Sequence, residues 1–523
     1  MLSTLPAVEI PNVSIYDYLF SDLDASQLDA VAIVDGTTGA ETTYRQLVGQ
    51  INLFAGALAA RGLGIGSRIG VLCPNVPAFA TVFHGILRAG ATATTINSLY
   101  TPDEIANQLE DADAQWLITV SPLLAGAKAA AAKRGIPDDH LIVLDGAEGH
   151  PGLRDLLGEG HAAPDVSFDP ATHLAVLPYS SWTTGRPKGV MLTHRNLVAN
   201  VAQVIPMTSI DSHDRLLAVL PFFHIYGMTV LLNFAMRQRA GLVTMPKFDL
   251  QEFLRIIQEH RTSWVFVAPP IAVALAKHPV VDQYDLSAVK VIFSGAAPLD
   301  GALAGAVAGR LGCDVVQGYG MTETSPAANI IPIDRPDIDR SSVGLLVPNT
   351  EARIVDADTG ADVEPPVNGA SAPGELWLRG PQIMLGYLNR PDATADMLDA
   401  DGWLHTGDIA TVTVDGTFHI VDRLKELIKY KGYQVAPAVL EAVLLEHPMI
   451  ADAAVIGAND EDGQEVPKAF IVRQPDVELS AQDVMDFVAT KVAPHEKVRQ
   501  VEFIEVIPKS SSGKILRKDL RSA

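Results

Sequence analysis

The sequence predicts a multilayered α/β fold: a large N-terminal body of wound sheets, a small barrel-like part after it, and a separate small α+β C-terminal domain. Three observations carry that reading. Up to Gly344, short apolar runs alternate with capped helical patterns, as in wound layers with buried strands. From Gly344 onward, strand-like segments are separated by Gly, Pro and Asp turns, which points to antiparallel sheet or a small barrel. Charge divides as well. Residues 424–523 hold 13 Lys plus Arg and 16 Asp plus Glu, so most of the formal charge of −23 falls on residues 1–423.

The elements follow in chain order. Thr43-Tyr-Arg-Gln46 and Thr101-Pro-Asp-Glu104 are capping boxes, the second with proline at its first helical position. Phe248-Asp249-Leu-Gln-Glu252-Phe253 combines a box with a hydrophobic staple and opens a helix through about His260. Arg68–Cys73, Leu174–Leu177, Leu216–Leu220, Trp264–Val267 and Val289–Phe293 read as buried strands, and Ala-rich Ala125–Ala132 as helix. Leu216–Met236 runs 21 residues without Asp, Glu, Lys or Arg, long enough to span a bilayer. Pro221, His224, Tyr226, Gly227 and Asn233 interrupt it, so it reads as a buried strand, a loop at Pro221–Gly227 and the start of a buried helix. Glu351–Val355, Gly374–Arg379 and Thr411–Val421 are the strands of the second part. In the last hundred residues, helices begin at Pro437 and after Ser480, with strands at Ala454–Ile456, Ala469–Val472 and Val501–Ile507.

Composition excludes several classes. Of 523 residues, 48% are apolar and 19% charged, which suits a buried core and not a disordered chain. An acidic balance, with pI near 4.9, favours no nucleic-acid surface. Two cysteines, Cys73 and Cys313, leave no disulfide framework and no Cys-rich metal site. The first residues carry no basic group and the last three are no peroxisomal address, so the expectation is a cytoplasmic protein without membrane attachment, monomeric or homodimeric.

The most informative segment is Tyr179-Ser-Ser-Trp-Thr-Thr-Gly-Arg-Pro-Lys-Gly-Val-Met-Leu-Thr-His194, which follows a strand and precedes a helix. Backbone amides, hydroxyl donors and a lysine in such a turn form a nest for phosphate. The spacing is not Walker A, because Lys188 is followed by Gly189 and Val190. Taken alone, a Ser/Thr/Gly turn is only a turn; seven further segments change its meaning. These are Pro221-Phe-Phe-His-Ile-Tyr-Gly, Ser294-Gly-Ala-Ala-Pro, Gln317-Gly-Tyr-Gly-Met-Thr-Glu323, Trp403-Leu-His-Thr-Gly-Asp408, Asp422-Arg-Leu-Lys-Glu-Leu-Ile-Lys-Tyr-Lys-Gly432 and Pro508-Lys-Ser-Ser-Ser-Gly-Lys-Ile, with Gly374-Glu-Leu between them.

With these segments in order, nearly the whole chain resembles the adenylate-forming superfamily of acyl-CoA synthetases, adenylation domains and luciferases, and within it the 4-coumarate/cinnamate-CoA ligases. The resemblance implies ATP, Mg²⁺ and coenzyme A, and a reaction through an acyl-adenylate. It implies an ATP- and acyl-binding domain over 1–422, a hinge at 423–425 and a mobile C-terminal domain over 426–523. Lys514 matches the adenylation lysine, His224 the residue guarding the carboxylate and thiol route, and Glu323 the Mg²⁺ holder beside Thr322. Ser181, Thr183, Thr184, Gly185 and Lys188 match the phosphate loop. Ser294, Gly295, Ala296 and Ala297 match the backbone lining of adenine, with Tyr319 stacked on it and Gln317, Gly318 and Gly320 around it. Asp408 and Arg423 match the ribose contacts and Lys425 the hinge. Lys429 and Gln434 are expected at the site for adenylation, and Lys431 and Gly432 beside pantetheine for thioester formation.

The acyl pocket is expected from Tyr226, Met228, Val230, Phe293, Pro326 and Ala327. Tyr226 matches a position that meets a phenolic hydroxyl. Phe293 replaces a lysine common in plant members, which favours an apolar ring end. Ala327 stands where several relatives carry a larger branched residue, which leaves room for ring substituents. One departure stands out: Trp182 replaces a glycine of the phosphate loop, where close backbone approach is needed. Four readings follow: an aromatic acid–CoA ligase leads, beside a medium-chain fatty acyl-CoA synthetase, a carrier-protein-dependent adenylating enzyme, and an acyl or nucleotide binder impaired by Trp182.

Overall fold

The computed structural model describes residues 1–180, 187–430, 433–460, 464–475, 477–510 and 513–521. Among these residues, a nine-stranded sheet has the spatial order Leu345–Leu346, Ala327–Ile330, Asp314–Gly320, Val291–Ser294, Trp264–Val267, Arg215–Ala218, Gly241–Thr244, Val31–Asp35 and Glu41–Thr43. Its centre is parallel and its edges are antiparallel. A six-stranded sheet sets Leu192–Thr193, Leu174–Val176, Thr92–Thr95, Arg68–Leu72, Trp116–Thr119 and Leu141–Val143 side by side. Trp264–Val267 and Val291–Ser294 bury every residue, which is why their sequences are continuously apolar and do not alternate.

The helix starts are fixed by the bonds their sequences predict. Thr43 Oγ1 accepts from the Gln46 amide at 3.2 Å, and Gln46 Oε1 accepts from the Thr43 amide at 2.9 Å. Thr101 and Glu104 make the same reciprocal pair. At Asp249 only half of the expected box forms: Asp249 accepts from the Glu252 amide at 3.0 Å, while the Glu252 carboxylate turns to Arg255, and the Phe248 and Phe253 rings close the staple at 5.6 Å.

Three readings change. The strand after Asp214 ends at Ala218, and Tyr226–Asn233 winds as a π-helix that continues as the α-helix Phe234–Gln238. Tyr226 and Gly227 therefore belong to the helix. A Cβ on Gly227 would sit 2.2 Å from the Pro221 carbonyl oxygen, so the turn folds tightly back onto the helix start. Thr411–Val421 is not one strand: Leu404–Val412 and Phe418–Arg423 form a hairpin about Asp415-Gly416, where Gly416 takes φ +84°. The Val501–Ile507 strand covers only Gln500–Phe503.

The hairpin completes a four-stranded antiparallel sheet with Glu351–Val355 and Gly374–Arg379. Past Arg423 the chain builds a second unit around its own core of Ile428, Leu440, Leu444, Val455, Ile471 and Val484. In it Ile450–Asn459 pairs antiparallel with Glu465–Arg473, which pairs parallel with Gln500–Phe503. The unit rests on the large body: Lys277 Nζ donates to the Leu445 carbonyl at 3.3 Å, and a Cβ on Gly513 would lie 2.9 Å from Ala268 Cβ. No helix of the described residues is long and apolar enough to cross a membrane. The strands ending at Ala218, Ser294 and Gly320 run parallel, so the loops after them gather on one sheet edge, where open α/β sheets bind ligands.

Candidate active site

At that edge lies a cavity of about 550 Å³, closed from the other side by the C-terminal unit. Nine of the residues expected from the sequence line it: Lys188, His224, Ala296, Gly320, Thr322, Glu323, Arg423, Lys425 and Lys514. They come from six separate stretches of chain and meet only in the fold.

The acidic groups are held by hydrogen bonds. Asp408 Oδ2 accepts from the Tyr319 hydroxyl at 2.6 Å, Asp408 Oδ1 stands 3.4 Å from Arg423 Nε, and its amide donates to Thr406 Oγ1 at 3.1 Å. The turn before it is held by Glu375, whose Oε1 accepts from the Gly407 amide and Oε2 from Trp377 Nε1, both at 2.9 Å. Glu323 is buried; its Oε1 accepts from the Tyr387 hydroxyl at 2.7 Å and its carbonyl from the Met384 amide. Lys188 Nζ lies 4.7 Å above the Tyr387 ring. Burial lowers the pKa of Lys188 and the Glu323 charge opposes that.

The cationic side is set by Lys514, which burial, and next Arg423, push down to about 7 against the pull of Asp408 and Glu323. Burial first and Lys514 second push His224 down to about 4, so its ring is neutral at neutral pH. His224 Nδ1 accepts from the Tyr226 amide at 3.2 Å, which leaves the proton on Nε2. Ala296 holds φ +71°, a strained backbone for a residue with a side chain, and lines the cavity.

Several expected residues stand elsewhere. Ser294 is fully buried at its strand end, and Gly295 packs under the Tyr226 ring, where a Cβ would be 2.7 Å from ring atoms. Neither they nor Ala297 line the cavity, and Tyr319 and Asp408 stand just behind its lining residues Gly320, Thr406, Gly407 and Arg423. The Gln317 side chain is turned away from the cavity: it bonds the Leu299 amide and carbonyl at 3.0 and 2.9 Å and the Arg340 carbonyl at 2.7 Å, and so ties down the turn after Ser294. Gly318 is a packing position, since a Cβ would be 2.7 Å from the Asn329 carbonyl oxygen. Lys429 does not line the cavity in this arrangement of the two units. Its neighbour Ile428 buries its side chain in the C-terminal core, so strand alternation turns Lys429 outward. Gln434 pairs with Lys429 across the hairpin. Ser181, Trp182, Thr183, Thr184, Gly185, Lys431, Gly432 and the Gln434 side chain lie outside the described residues.

The six residues expected around the acyl group lie behind the cavity wall. Tyr226 meets Phe266 edge-on at 6.5 Å, and Phe266 stacks on Phe293 at 5.1 Å. Met228, Val230 and Ala327 are buried in the same core, and the Pro326 carbonyl accepts from the Met321 amide. The Tyr226 hydroxyl is buried with no partner among the described residues.

No group of three or more His, Cys, Asp or Glu suited to a metal occurs among the described residues. Glu323 with the Thr322 hydroxyl offers one carboxylate and one neutral oxygen. That set fits Mg²⁺, which binds through one or two carboxylates plus substrate phosphates and not in an all-protein cage. The sequence reading missed Tyr387, Glu375, Thr406 and His405. Glu375 stood within the Gly374-Glu-Leu motif; Tyr387 carried no local signal.

Comparison with known proteins places the chain in a family. The AMP-binding enzyme family matches residues 20–388, and the AMP-binding enzyme C-terminal domain matches residues 439–514. The 4-coumarate–CoA ligase 1 of Solanum tuberosum is 42% identical over 531 residues, covering 99% of this chain and 96% of its own. The 4-coumarate–CoA ligase of Pinus taeda is 42% identical, covering 99% and 97%. Among solved structures, the anthranilate CoA ligase AuaEII in complex with anthranoyl-AMP has a TM-score of 0.89 at 26% identity, covering 99% and 98% of the two chains. ATP-bound MatB from Rhodopseudomonas palustris has 0.87 at 27% identity, covering 98% and 99%. The chain belongs to the AMP-binding enzyme family of adenylate-forming proteins.

Proposed function

We propose that this protein is an AMP-forming acid–thiol ligase that joins an aromatic, cinnamate- or 4-coumarate-like acid to coenzyme A. The observation that carries the reading is the meeting of Lys514, from the C-terminal tail, with His224 and Glu323 in one cavity. Relatives that align over nearly the whole chain are 4-coumarate–CoA ligases, which supports the substrate class.

In the first half-reaction a carboxylate oxygen attacks the α-phosphorus of ATP, and the bond to the leaving pyrophosphate breaks. Two anions must approach. The Lys514 ammonium, aimed into the cavity, offsets their repulsion and stabilises charge as it moves to pyrophosphate. Asp408 accepts from the ribose hydroxyls with Arg423 beside it, and Tyr319 and the Ala296 backbone take the adenine. Lys188 and the 181–185 segment take the phosphates. Mg²⁺, when held by Glu323 and Thr322, supplies further positive charge to the phosphate oxygens. In the second half-reaction the thiol sulfur attacks the acyl carbonyl with loss of its proton, and AMP leaves. Neutral His224 donates through Nε2 toward the acyl carboxyl and does not add a charge.

The Tyr226, Phe266 and Phe293 rings supply apolar surface for an aromatic acid, and the unpartnered Tyr226 hydroxyl suits a polar ring substituent. Residues 423–425 are the proposed hinge that lets Lys431 and Gly432 replace Lys514 at the site. Cys73 and Cys313 are unpaired, in keeping with a cytoplasmic setting. The test incubates purified protein with ATP, Mg²⁺, CoA and a mixture of cinnamate, 4-coumarate, benzoate and octanoate, and reads every acyl-CoA by mass. A dominant aromatic thioester is expected. Octanoyl-CoA as the main product would replace the reading with a fatty acyl-CoA synthetase. Acid-dependent pyrophosphate exchange without any thioester would replace it with a carrier-dependent adenylating enzyme.

A further inference from the structure

Away from the cavity, one carboxylate joins the base of the phosphate segment to the stretch that holds Glu323. Asp111 ends the helix Pro102–Asp111, where the helix dipole disfavours negative charge. It sits there against two donors. Its Oδ2 accepts from the Tyr179 hydroxyl at 2.9 Å, and its Oδ1 accepts from Arg390 Nη2 at 2.8 Å.

Each donor leads to the nucleotide site by a short path. Tyr179–Ser180 enters the phosphate segment and pairs with Lys188–Gly189 leaving it, Tyr179 opposite Gly189. The Tyr179 ring crosses Gly189 closely enough that a Cβ there would lie 3.1 Å from Cζ. Ser180 and Lys188 both line the nucleotide cavity. Arg390 closes the stretch that begins at Tyr387. Within it, the Leu388 amide donates to the Gly189 carbonyl at 2.9 Å, and the Tyr387 hydroxyl holds Glu323. The helix and the segment base enclose a cavity of about 250 Å³ lined by Gln108, Asp111, Tyr179, Pro187 and Arg390. The Asp111 bonds to Tyr179 and Arg390 cross this space. Burial and the Asp111 charge raise the Tyr179 pKa, which keeps its hydroxyl a donor.

We propose that Asp111, bridging Tyr179 and Arg390, is a positioning residue for the ATP phosphates, acting on Ser180, Lys188 and Glu323 without itself lining the nucleotide cavity. The inference rests on the ligase reading and on Ser180 and Lys188 as phosphate contacts. Release of Asp111 loosens the base of that site and the Tyr387 support of Glu323 together. The consequence is confined to the half-reaction that uses triphosphate, because a preformed acyl-adenylate carries no β- or γ-phosphate.

The experiment uses the full chain with Asp111→Asn, Asp111→Glu and Tyr179→Phe, the last removing one hydroxyl and leaving the ring over Gly189. ATP KM and kcat are measured by acid-dependent pyrophosphate exchange, thioester formation is measured from supplied acyl-adenylate, and Tm is recorded. Asp111→Asn and Tyr179→Phe are expected to raise ATP KM about tenfold, as loss of a hydrogen bond to a charged group does. Asp111→Glu recovers part of the loss, and the thioester step stays at the wild-type rate. Unchanged ATP KM in Tyr179→Phe and Asp111→Asn overturns the proposal, as does an equal loss in both half-reactions, which marks a general structural role. If wild-type protein performs neither half-reaction, the ligase reading falls and this inference falls with it.

Discussion

The ribose side and the lysine side of the cavity are built in opposite ways. Asp408 sits on a paired strand, and its partners Tyr319, Thr406 and Arg423 precede the C-terminal unit in the chain. Lys514 comes from near the end of the chain and reaches the cavity only because the C-terminal unit docks, with Gly513 against Ala268. The contrast separates recognition from delivery. On the proposed function, the nucleotide contacts are preorganised within one body, whereas the charge that lets two anions meet is brought by another. Such a lysine can also be withdrawn, as a two-step reaction requires if a thiol is to approach the same carbonyl.

The comparison breaks most visibly at Lys514. Lys514→Ala should slow adenylation by about 10²–10³-fold, the range for loss of one preorganised charge donor. Thioester formation from supplied acyl-adenylate should persist. Pyrophosphate exchange and an acyl-adenylate chase measure the two halves separately, and equal loss in both would show that the lysine side is not an independent part.

Gly513 tests delivery without touching the charge. It holds φ +84°, and a Cβ would sit 2.9 Å from Ala268 Cβ. Gly513→Ala therefore adds left-handed strain of about 1–2 kcal/mol as well as a contact too short to keep. Adenylation should fall at least about tenfold, with the thioester half again spared. Adding Ala268→Gly removes the clash and should recover part of the rate. No recovery would place the fault in the backbone strain alone.

Protonation sharpens the same contrast. Lys514, lowered to about 7 by burial and Arg423, is an ammonium in the folded protein below that pH and neutral above it. In the unfolded chain it stays charged up to about 10.4. The unfolded state thus binds more protons across that window, so this group makes folded stability rise with pH there and fall as pH drops through about 7. ATP draws on the charged form, so its apparent affinity should weaken by up to about tenfold per pH unit above 7, in a fluorescence titration. Lys514→Arg should flatten that limb, because a guanidinium stays protonated. His224, near 4, adds no charge change in this range.

What the sequence disclosed follows from how local each signal is. The two capping boxes, and the Phe248 staple with its Asp249 cap, involve residues within five positions of one another, so their bonds were readable in advance. His224, Glu323 and Lys514 each lie within a contiguous motif. Tyr387 bonds Glu323 across 64 positions and Arg390 bonds Asp111 across 279, and no periodicity reports such pairs. The Thr411–Val421 hairpin was hidden because apolar residues flank Asp415-Gly416 on both sides. The outward side of Lys429 in this arrangement is set by Ile428 packing in a core that only the fold assembles.

A further effect is expected on the ribose side, and it carries the sharpest question about preorganisation. The Tyr319 hydroxyl donates to Asp408 Oδ2 at 2.6 Å, on the carboxylate expected to accept from ribose. Tyr319→Phe keeps the ring for adenine and removes only that donor. Asp408 is 5% exposed, so water replaces the bond poorly, and Arg423 at 3.4 Å supports only the other oxygen. If the tyrosine holds Asp408 in place for ATP, loss of the bond costs about 1–2 kcal/mol and raises ATP KM about five- to thirtyfold with kcat little changed. If the hydroxyl instead occupies the acceptor that ribose takes, its removal leaves ATP KM unchanged or lowers it. The first result makes the ribose side rigid before ATP arrives; the second makes it a site that ATP completes, and the division between a fixed side and a delivered side would then lie at Lys514 alone.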